Sequence, residues 1–367
     1  MASGDAVSPE TDAEERVMHI IDTDNVNGAY RAGMNLLNRS GTIEESRAGR
    51  VIVTPTPVTT LYRRPTERML FDPVRDANPF FHIMESVWML AGCNDGRWLD
   101  TYVRDFSSRF AEPDGLIHGA YGHRWRLHFG VDQLIRIRDL LYNDPGSRRA
   151  VLTMYDPRTD GDMEKRDIPC NTQVFFRVTR PPEPNLCGDM TMTVCNRSND
   201  IIWGAYGANA VHMSIMGEIV AGLAGACLSS YYQISNNFHA YLDIFTRMHT
   251  TERSETADPY RWMVDSRPII RKGEKQCMRE EALSVLEDCV TFVSTPESEF
   301  LRVDGVKFRS SWFREVVLPM KITHALWKLG SSNEAIDSLD SIQASDIRTA
   351  CQLWLSRRLV SRKTVVH

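Results

Sequence analysis

Apolar and polar positions alternate along this chain with two periods, and the switches between them outline its elements. Residues 29–37, 80–90 and 133–142 carry apolar side chains at helical spacing, and 210–223 is apolar almost throughout, which predicts a helix at the centre of the core. Residues 150–155, 173–178 and 189–194 predict buried strands, with a proline-rich turn at 181–185. Residues 51–62 are rich in β-branched side chains but interrupted by Pro55 and Pro57. Proline lacks the N–H that a ladder needs, so an edge strand or extended arm is expected there. Beyond about residue 258 the pattern becomes helix-like and charge-laced, at 280–292, 312–329 and 344–358. Residues 1–16 are small, polar and acidic and read as a disordered tail. The expected division is a tail at 1–16, a main domain at 17–270 and a helical C-terminal extension at 271–367, with no internal repeat.

Composition narrows the class. The 367 residues suffice for one large domain or two ordinary ones, and 42% hydrophobic with 25% charged content is that of a soluble globular protein. A formal net charge of -5 argues against a protein that coats nucleic acid, but leaves room for a local basic pocket. The eight cysteines form no Cys-x-x-Cys pair and no zinc-spaced cluster, so no metal is expected. With no apolar signal segment at the start, the natural reading is a reducing cytoplasm, and no run approaches the ~18 apolar residues of a membrane span.

Candidate chemistry concentrates in three places. In 195–209, Arg197 and Ser198 sit side by side, which suits a phosphate; Asp200 follows, and after a glycine-containing turn comes Asn209, whose amide can read a base edge. Downstream, His239 and Tyr241 offer two hydrogen-bonding side chains around Ala240. Upstream, Cys170 directly follows Pro169. A pyrimidine C5 is a poor nucleophile, and adding a thiolate to C6 makes it enolate-like, so these residues suit covalent chemistry on a pyrimidine nucleotide. Cationic arginines nearby would support the Cys170 thiolate. Glu85 stands on an otherwise apolar helix face, costly unless it is paired or functional. Each feature alone has a bland reading: a buried structural cysteine, a solvated arginine pair, a helix-capping asparagine, a satisfied histidine.

Five motifs in order, from about Asn78 to Tyr241, resemble the thymidylate synthase superfamily, which includes phage deoxynucleotide hydroxymethylases. They are the helix around Glu85, the Tyr121-Gly122-His123-Arg124-Trp125-Arg126 segment, the double arginine Arg148-Arg149, the Pro169-Cys170 pair, and the Arg197-Ser198 stretch that runs on to Asn209. The resemblance implies an α+β fold, a mostly antiparallel sheet covered by helices, and a homodimer packed sheet to sheet. It implies Cys170 as nucleophile, proton handling by Glu85 and Tyr121, and Asp200 orienting a methylenetetrahydrofolate ring. Arg197 and Ser198 would hold phosphate, with Arg148 and Arg149 reaching it from the partner chain and Arg47 as a weaker fourth arginine. Asn209, one residue later in its turn than in the family, would read the base, and His239 and Tyr241 the 3'-hydroxyl.

Three departures from a synthase stand out. Asn171 follows the nucleophile where synthases usually have histidine. Gapless counting from Glu85 to Tyr121 puts Ser107 and Phe110 where synthases carry two shielding tryptophans, and a one-residue shift puts Phe106 there. The C-terminus, 363–367, does not resemble the short apolar tail that closes a synthase. Water reaching the methylene intermediate would give a hydroxymethyl product. The expectation is therefore a deoxyuridylate 5-hydroxymethylase, with a deoxycytidylate 5-hydroxymethylase and a thymidylate synthase as alternatives. No membrane and no stable nucleic-acid partner are expected. A non-catalytic binding relative, or an extension that docks other enzymes, are the readings from other classes.

Overall fold

Burial alternates residue by residue along Asn171–Thr179 and Gly188–Asn196, so both stretches are strands with one covered face. The computed structural model describes residues 17–161, 164–179, 187–250, 258–300 and 306–364, with side chains to 360. The expected tail at 1–16 and turn at 181–185 lie outside the described residues. Ten strands run in chain order: β1 (His19–Thr23), β2 (Thr42–Ser46), β3 (Gly49–Val53), β4 (Val58–Tyr62), β5 (Val151–Thr153), β6 (Asn171–Thr179), β7 (Gly188–Asn196), β8 (Asn199–Asp200), β9 (Ala226–Ser235) and β10 (Phe238–Tyr241). The main sheet has the order β1-β4-β9-β7-β6-β5, and a smaller sheet the order β2-β3-β10-β8. In the main sheet β4–β9, β7–β6 and β6–β5 are antiparallel, while β1–β4 and β7–β9 are parallel. With helices over one face, the architecture is α+β.

Two strand expectations need correction. Residues 51–62 are not an edge. β3 pairs with β2 and β10, and β4 with β1 and β9, because Pro55 and Pro57 fall in the gap between the two strands and occupy no ladder position. The strands read as buried are buried on one face only. Val174, Phe176, Met190, Met192 and Val194 enter the core, whereas Phe175 is 41% exposed on the other face, level with Val151 and Thr193.

The helices are α1 (Val26–Ser40), α2 (Pro79–Leu90), α3 (Phe106–Phe110), α4 (Tyr121–Arg126), α5 (Gln133–Asn143), α6 (Asn209–Leu223), α7 (Leu242–Thr250), α8 (Lys275–Ser294), α9 (Leu318–Lys328), α10 (Ser332–Asp337) and α11 (Ser345–Thr364). Asn25 caps α1 and Asn78 caps α2, whose first residue is Pro79, a position where the missing N–H costs nothing. α6 is buried at every position, as its apolar run predicts. The C-terminal helices pack onto this centre: α8 lies against α6 and α2, and α11 against α2, where Trp354 meets Phe80 edge to face. No helix among the described residues is long and apolar enough to cross a membrane.

A buried polar seam ties the extension to the main domain. Tyr260 donates to Asp346 at 3.0 Å and receives the Met69 amide. Burial pushes Asp346 up to about 6, above the ~3.9 of an unfolded chain. The folded state therefore holds this proton more tightly. Its stabilising effect is complete below pH ~4 and is lost as the pH rises through about 6. Urea denaturation between pH 4 and 7 should show that decline, and Asp346→Asn should flatten it; an unchanged slope in the variant would remove Asp346 as its source.

Candidate active site

Two glycines set the geometry. A Cβ on Gly122 would sit 1.9 Å from the Met89 carbonyl, so α4 touches the last turn of α2 backbone to backbone. A Cβ on Gly119 would come within 2.6 Å of Asp167 Oδ2 and 3.0 Å of the Pro169 nitrogen. These approaches place Tyr121 between α2 and the loop that carries Cys170. Arg124 then anchors α4. Its fully buried guanidinium meets Asp160 through two hydrogen bonds (2.7 and 3.0 Å) and reaches the carbonyls of His118 and Met154. His118 adds a 2.8 Å contact to Asp160, and His128 binds Asp156 at 2.9 Å. Burial pushes Asp160 up, but the bonds from Arg124 and His118 hold it below the usual carboxylate range.

Cys170 stands immediately before β6. Arg197 folds over it: Nε and Nη2 each donate at 2.9 Å to the Pro169 and Ile168 carbonyls, Nη2 lies 3.9 Å from Sγ, and the Arg197 amide binds the Cys170 carbonyl. Burial pushes the thiol up; the Arg197 cation pulls it down, and the Asp167 and Asp200 carboxylates push it up again. The expected arginine support for the thiolate is present, but burial outweighs it. Tyr121 also hydrogen-bonds the thiol, and its own hydroxyl is driven well above its ordinary value by burial. Next to Cys170, the Asn171 amide is completely buried, and among the described residues neither its oxygen nor its nitrogen has a hydrogen-bond partner.

A cavity of about 190 Å³ opens beside this group, lined by Glu85, Tyr121, Asp167, Asn209 and His212 among apolar walls. Asp200 accepts from the Ile202 and Trp203 amides at 3.0 and 3.3 Å. It starts the π-helical stretch Ile201–Ala208, which takes up the extra residue before Asn209 within a wider turn. Asn209 donates to Asn199 Oδ1 at 3.3 Å, and Asn199 donates to Ser235 at 2.9 Å. Glu85 Oε2 and His212 Nε2 are 3.1 Å apart but misaligned for a hydrogen bond, and both atoms are buried with no hydrogen-bond partner among the described residues. Leaving such a group unsatisfied costs about 1–3 kcal/mol.

A second cavity of about 440 Å³ adjoins the first, sharing Glu85, Phe106, Phe110 and Ala208, and adding Arg75, Phe81, Arg109 and Trp203. Arg75 lies 4.3 Å over the Trp203 ring and donates to the Ile202 carbonyl. Of the two residues that the gapless count from Glu85 gives, Phe110 lines both cavities and Ser107 lines neither. Ser107 turns to Asp100 through both its hydroxyl and its amide, while Phe106, the residue of the one-residue shift, lies tilted against Phe110 with ring centres 4.9 Å apart and walls both cavities with it.

The remaining expected residues divide. His239 pairs in register with Asp200, its ring 5.9 Å from Tyr241, and the Arg47 cation in the β2–β3 turn acts on Tyr241. Ser198 lies between Arg197 and β8. Arg148 and Arg149 are exposed just before β5 and do not join the group. The pairing of Val151 with Phe175 puts Arg149 near Arg177, seven residues along β6 from Cys170; at ~3.3 Å per residue that is roughly 20 Å. Sequence reasoning did not single out His212, Asn199, Asp167, Arg75 or Trp203 for this site. The available signal for His212 was its place three residues after Asn209, one helical turn along an apolar run.

Residues 59–270 match the model of the family described as thymidylate synthase. The chain is 39% identical over 355 residues to a deoxyuridylate hydroxymethyltransferase of Pseudomonas phage M6, covering 93% of this chain and 95% of that protein. It is 33% identical over 198 residues to a deoxyuridylate hydroxymethyltransferase of Bacillus phage SP01, covering 51% and 50%. A protein of the same name from Delftia phage PhiW-14 is 25% identical over 261 residues, covering 68% and 69%.

The charges around Cys170 predict opposite responses. Arg197→Ala should slow iodoacetamide alkylation of Cys170 at pH 8 by roughly fivefold, and Asp167→Asn should speed it. Peptide mass mapping of the Cys170 fragment reads both rates, and movement of both variants in the same direction would contradict this electrostatic arrangement.

Proposed function

The chain belongs to the thymidylate synthase family and is a one-carbon transferase, and from that premise we propose that it converts deoxyuridylate to its 5-hydroxymethyl derivative. One observation carries the choice of base. The Asn209 amide spends one N–H on Asn199, which keeps the other N–H and Oδ1 for the cavity. That donor and acceptor complement O4 and N3–H of uracil. The phage relatives named for deoxyuridylate hydroxymethylation support the same choice.

In this reading Cys170 adds to C6, with Arg197 beside the sulfur and Tyr121 hydrogen-bonded to it. Arg197 and Ser198 meet the phosphate, Arg47 adds charge near it, and His239 and Tyr241 meet the sugar. The larger cavity suits a flat heterocycle with a carboxylate tail: Phe81, Phe106, Phe110 and Trp203 offer aromatic faces, and Arg75 and Arg109 offer cations. Methylenetetrahydrofolate supplies the one-carbon unit when bound there. Asp200, fixed by the Ile202 and Trp203 amides next to the Trp203 that lines this cavity, would orient that ring.

Arg148 and Arg149 serve the phosphate of a partner's site in a homodimer. Two features support this: their distance from Cys170 along β6, and the open face of the main sheet, where Ile20, Val151 and Phe175 are exposed. A second reading, thymidylate synthase, draws on the Phe106–Phe110 wall, which shields the cavity more than Ser107 would.

Mass analysis of the nucleotide product decides between these readings. With methylenetetrahydrofolate, deoxyuridylate should gain a hydroxymethyl group and deoxycytidylate should react at least about fivefold more slowly, a bidentate base contact being worth about 1–3 kcal/mol of discrimination. A methyl product would establish the synthase reading instead. Mixing Arg149→Ala with Cys170→Ala protein should restore activity absent from either alone, up to about a quarter of wild type, because one site in a mixed dimer then holds both intact residues; no recovery would rule out shared sites.

A further inference from the structure

We propose that His212 is the base that activates water at the one-carbon unit, with Glu85 holding the charge that results. This rests on the hydroxymethylation reading above and assigns its water step. That step needs an acceptor for the water proton beside the base, inside the smaller cavity.

Three observations converge on His212. It lies one turn after Asn209 on α6, so the side chain beside it is the one that faces the pyrimidine edge. It lines the smaller cavity with Glu85 and Tyr121. Its Nε2 and Glu85 Oε2, 3.1 Å apart and misaligned, are both buried and unpartnered among the described residues. A structural ion pair would align these atoms and satisfy them. Two orphaned atoms side by side are instead the paired anchors that one ordered water requires.

His82, one turn before Glu85 on α2, faces the His212 ring edge-on with centroids 6.3 Å apart, and it is buried. Glu85 is also shared with the larger cavity, so the pair stands where the two cavities meet.

The step balances as follows. The water oxygen bonds to the exocyclic methylene carbon on C5, and the π pair of that double bond moves through the ring to O4. The water proton passes to His212 Nε2, and the imidazolium is held by the Glu85 carboxylate. The pair on O4 then returns to form the C5–C6 double bond and expels the Cys170 thiolate.

The test separates this step from those before it. Tritium release from [5-³H]deoxyuridylate reports events up to loss of the C5 proton, and the hydroxymethyl nucleotide reports water capture as well. In His212→Gln, tritium release should stay within about threefold of wild type while hydroxymethyl product falls about 100-fold, the scale of a lost general base. Retained tritium release also shows that the variant is folded; His212→Asn provides a smaller amide should glutamine disturb the site. A folate-free readout follows from reversibility. Wild-type protein with 5-hydroxymethyl-deoxyuridylate in H₂¹⁸O should exchange the hydroxymethyl oxygen, seen as a two-unit mass increase, and His212→Gln should not. Equal loss of tritium release and product, unchanged product, or undiminished ¹⁸O exchange in the variant would each overturn the role of His212. Thymidylate made by the wild type would instead overturn the hydroxymethylation reading, whatever the variants do.

Discussion

A helix buried on every side has nowhere to hide a polar side chain, and α6 imposes that constraint on the rest of this protein. Glu218 is satisfied by Arg68 and by the Ile269 amide, which fastens two distant segments to the core. Ser214 returns its hydroxyl to the Val211 carbonyl, and Asn209 donates to Asn199. His212 Nε2 differs: among the described residues it has no hydrogen-bond partner, and neither has the Glu85 oxygen 3.1 Å away. The helix thus sorts its own polar groups: those that complete bonds inside the protein build the fold, and those left incomplete face a cavity.

The same distinction applies around Cys170. Arg124 and Asp160 are buried, but the guanidinium and carboxylate satisfy each other and lock α4 in place, so their cost is offset within the scaffold. Cys170 is poised differently. One guanidinium grips the carbonyls of its loop and leans toward its sulfur, while burial and two carboxylates oppose ionisation. The thiol is therefore held protonated beside the cation that would favour its thiolate, and modest changes in nearby charge act on its reactivity.

How much of this could be read from the sequence follows from what each feature depends on. Helices with an apolar period, at 80–90 and 133–142, and the apolar run at 210–223 appear close to where the pattern puts them, because local sequence suffices to define them. Residues 51–62 suggest an edge strand or extended arm but pair on both sides, because strand order depends on partners such as β9, about 170 residues away, that local composition does not encode. Among site residues, Glu85, Tyr121, Asn209 and Cys170 announced themselves through motifs and gather in the structure. His212 carried no motif, and only the shared face of α6 reveals it. Ser107 shows the opposite failure. Counting placed it correctly along the chain, but a short Asp100 contact turns it outward and gives the wall to Phe106.

The C-terminal helices bear on the site through its walls. Lys321 and His324 of α9 lie against Tyr102, the Lys321 ammonium at 3.3 Å from its hydroxyl and the His324 ring at 4.9 Å from its ring, and Lys328 reaches the Thr101 carbonyl. Tyr102 leads directly into the segment that carries Phe106 and Phe110. On the other side, Arg357 and Arg358 of α11 bind Asp76 at 2.7 and 2.9 Å, and Asp76 lines the larger cavity beside Arg75. Asp76 holds a left-handed backbone conformation, with φ 46°, that a non-glycine residue adopts at a cost. Two arginines at its carboxylate oppose its relaxation. The C-terminal helices thus brace two of the segments that wall the larger cavity, 75–78 and 102–110, so substitutions in α9 or α11 act on cavity shape although none of those residues lines it.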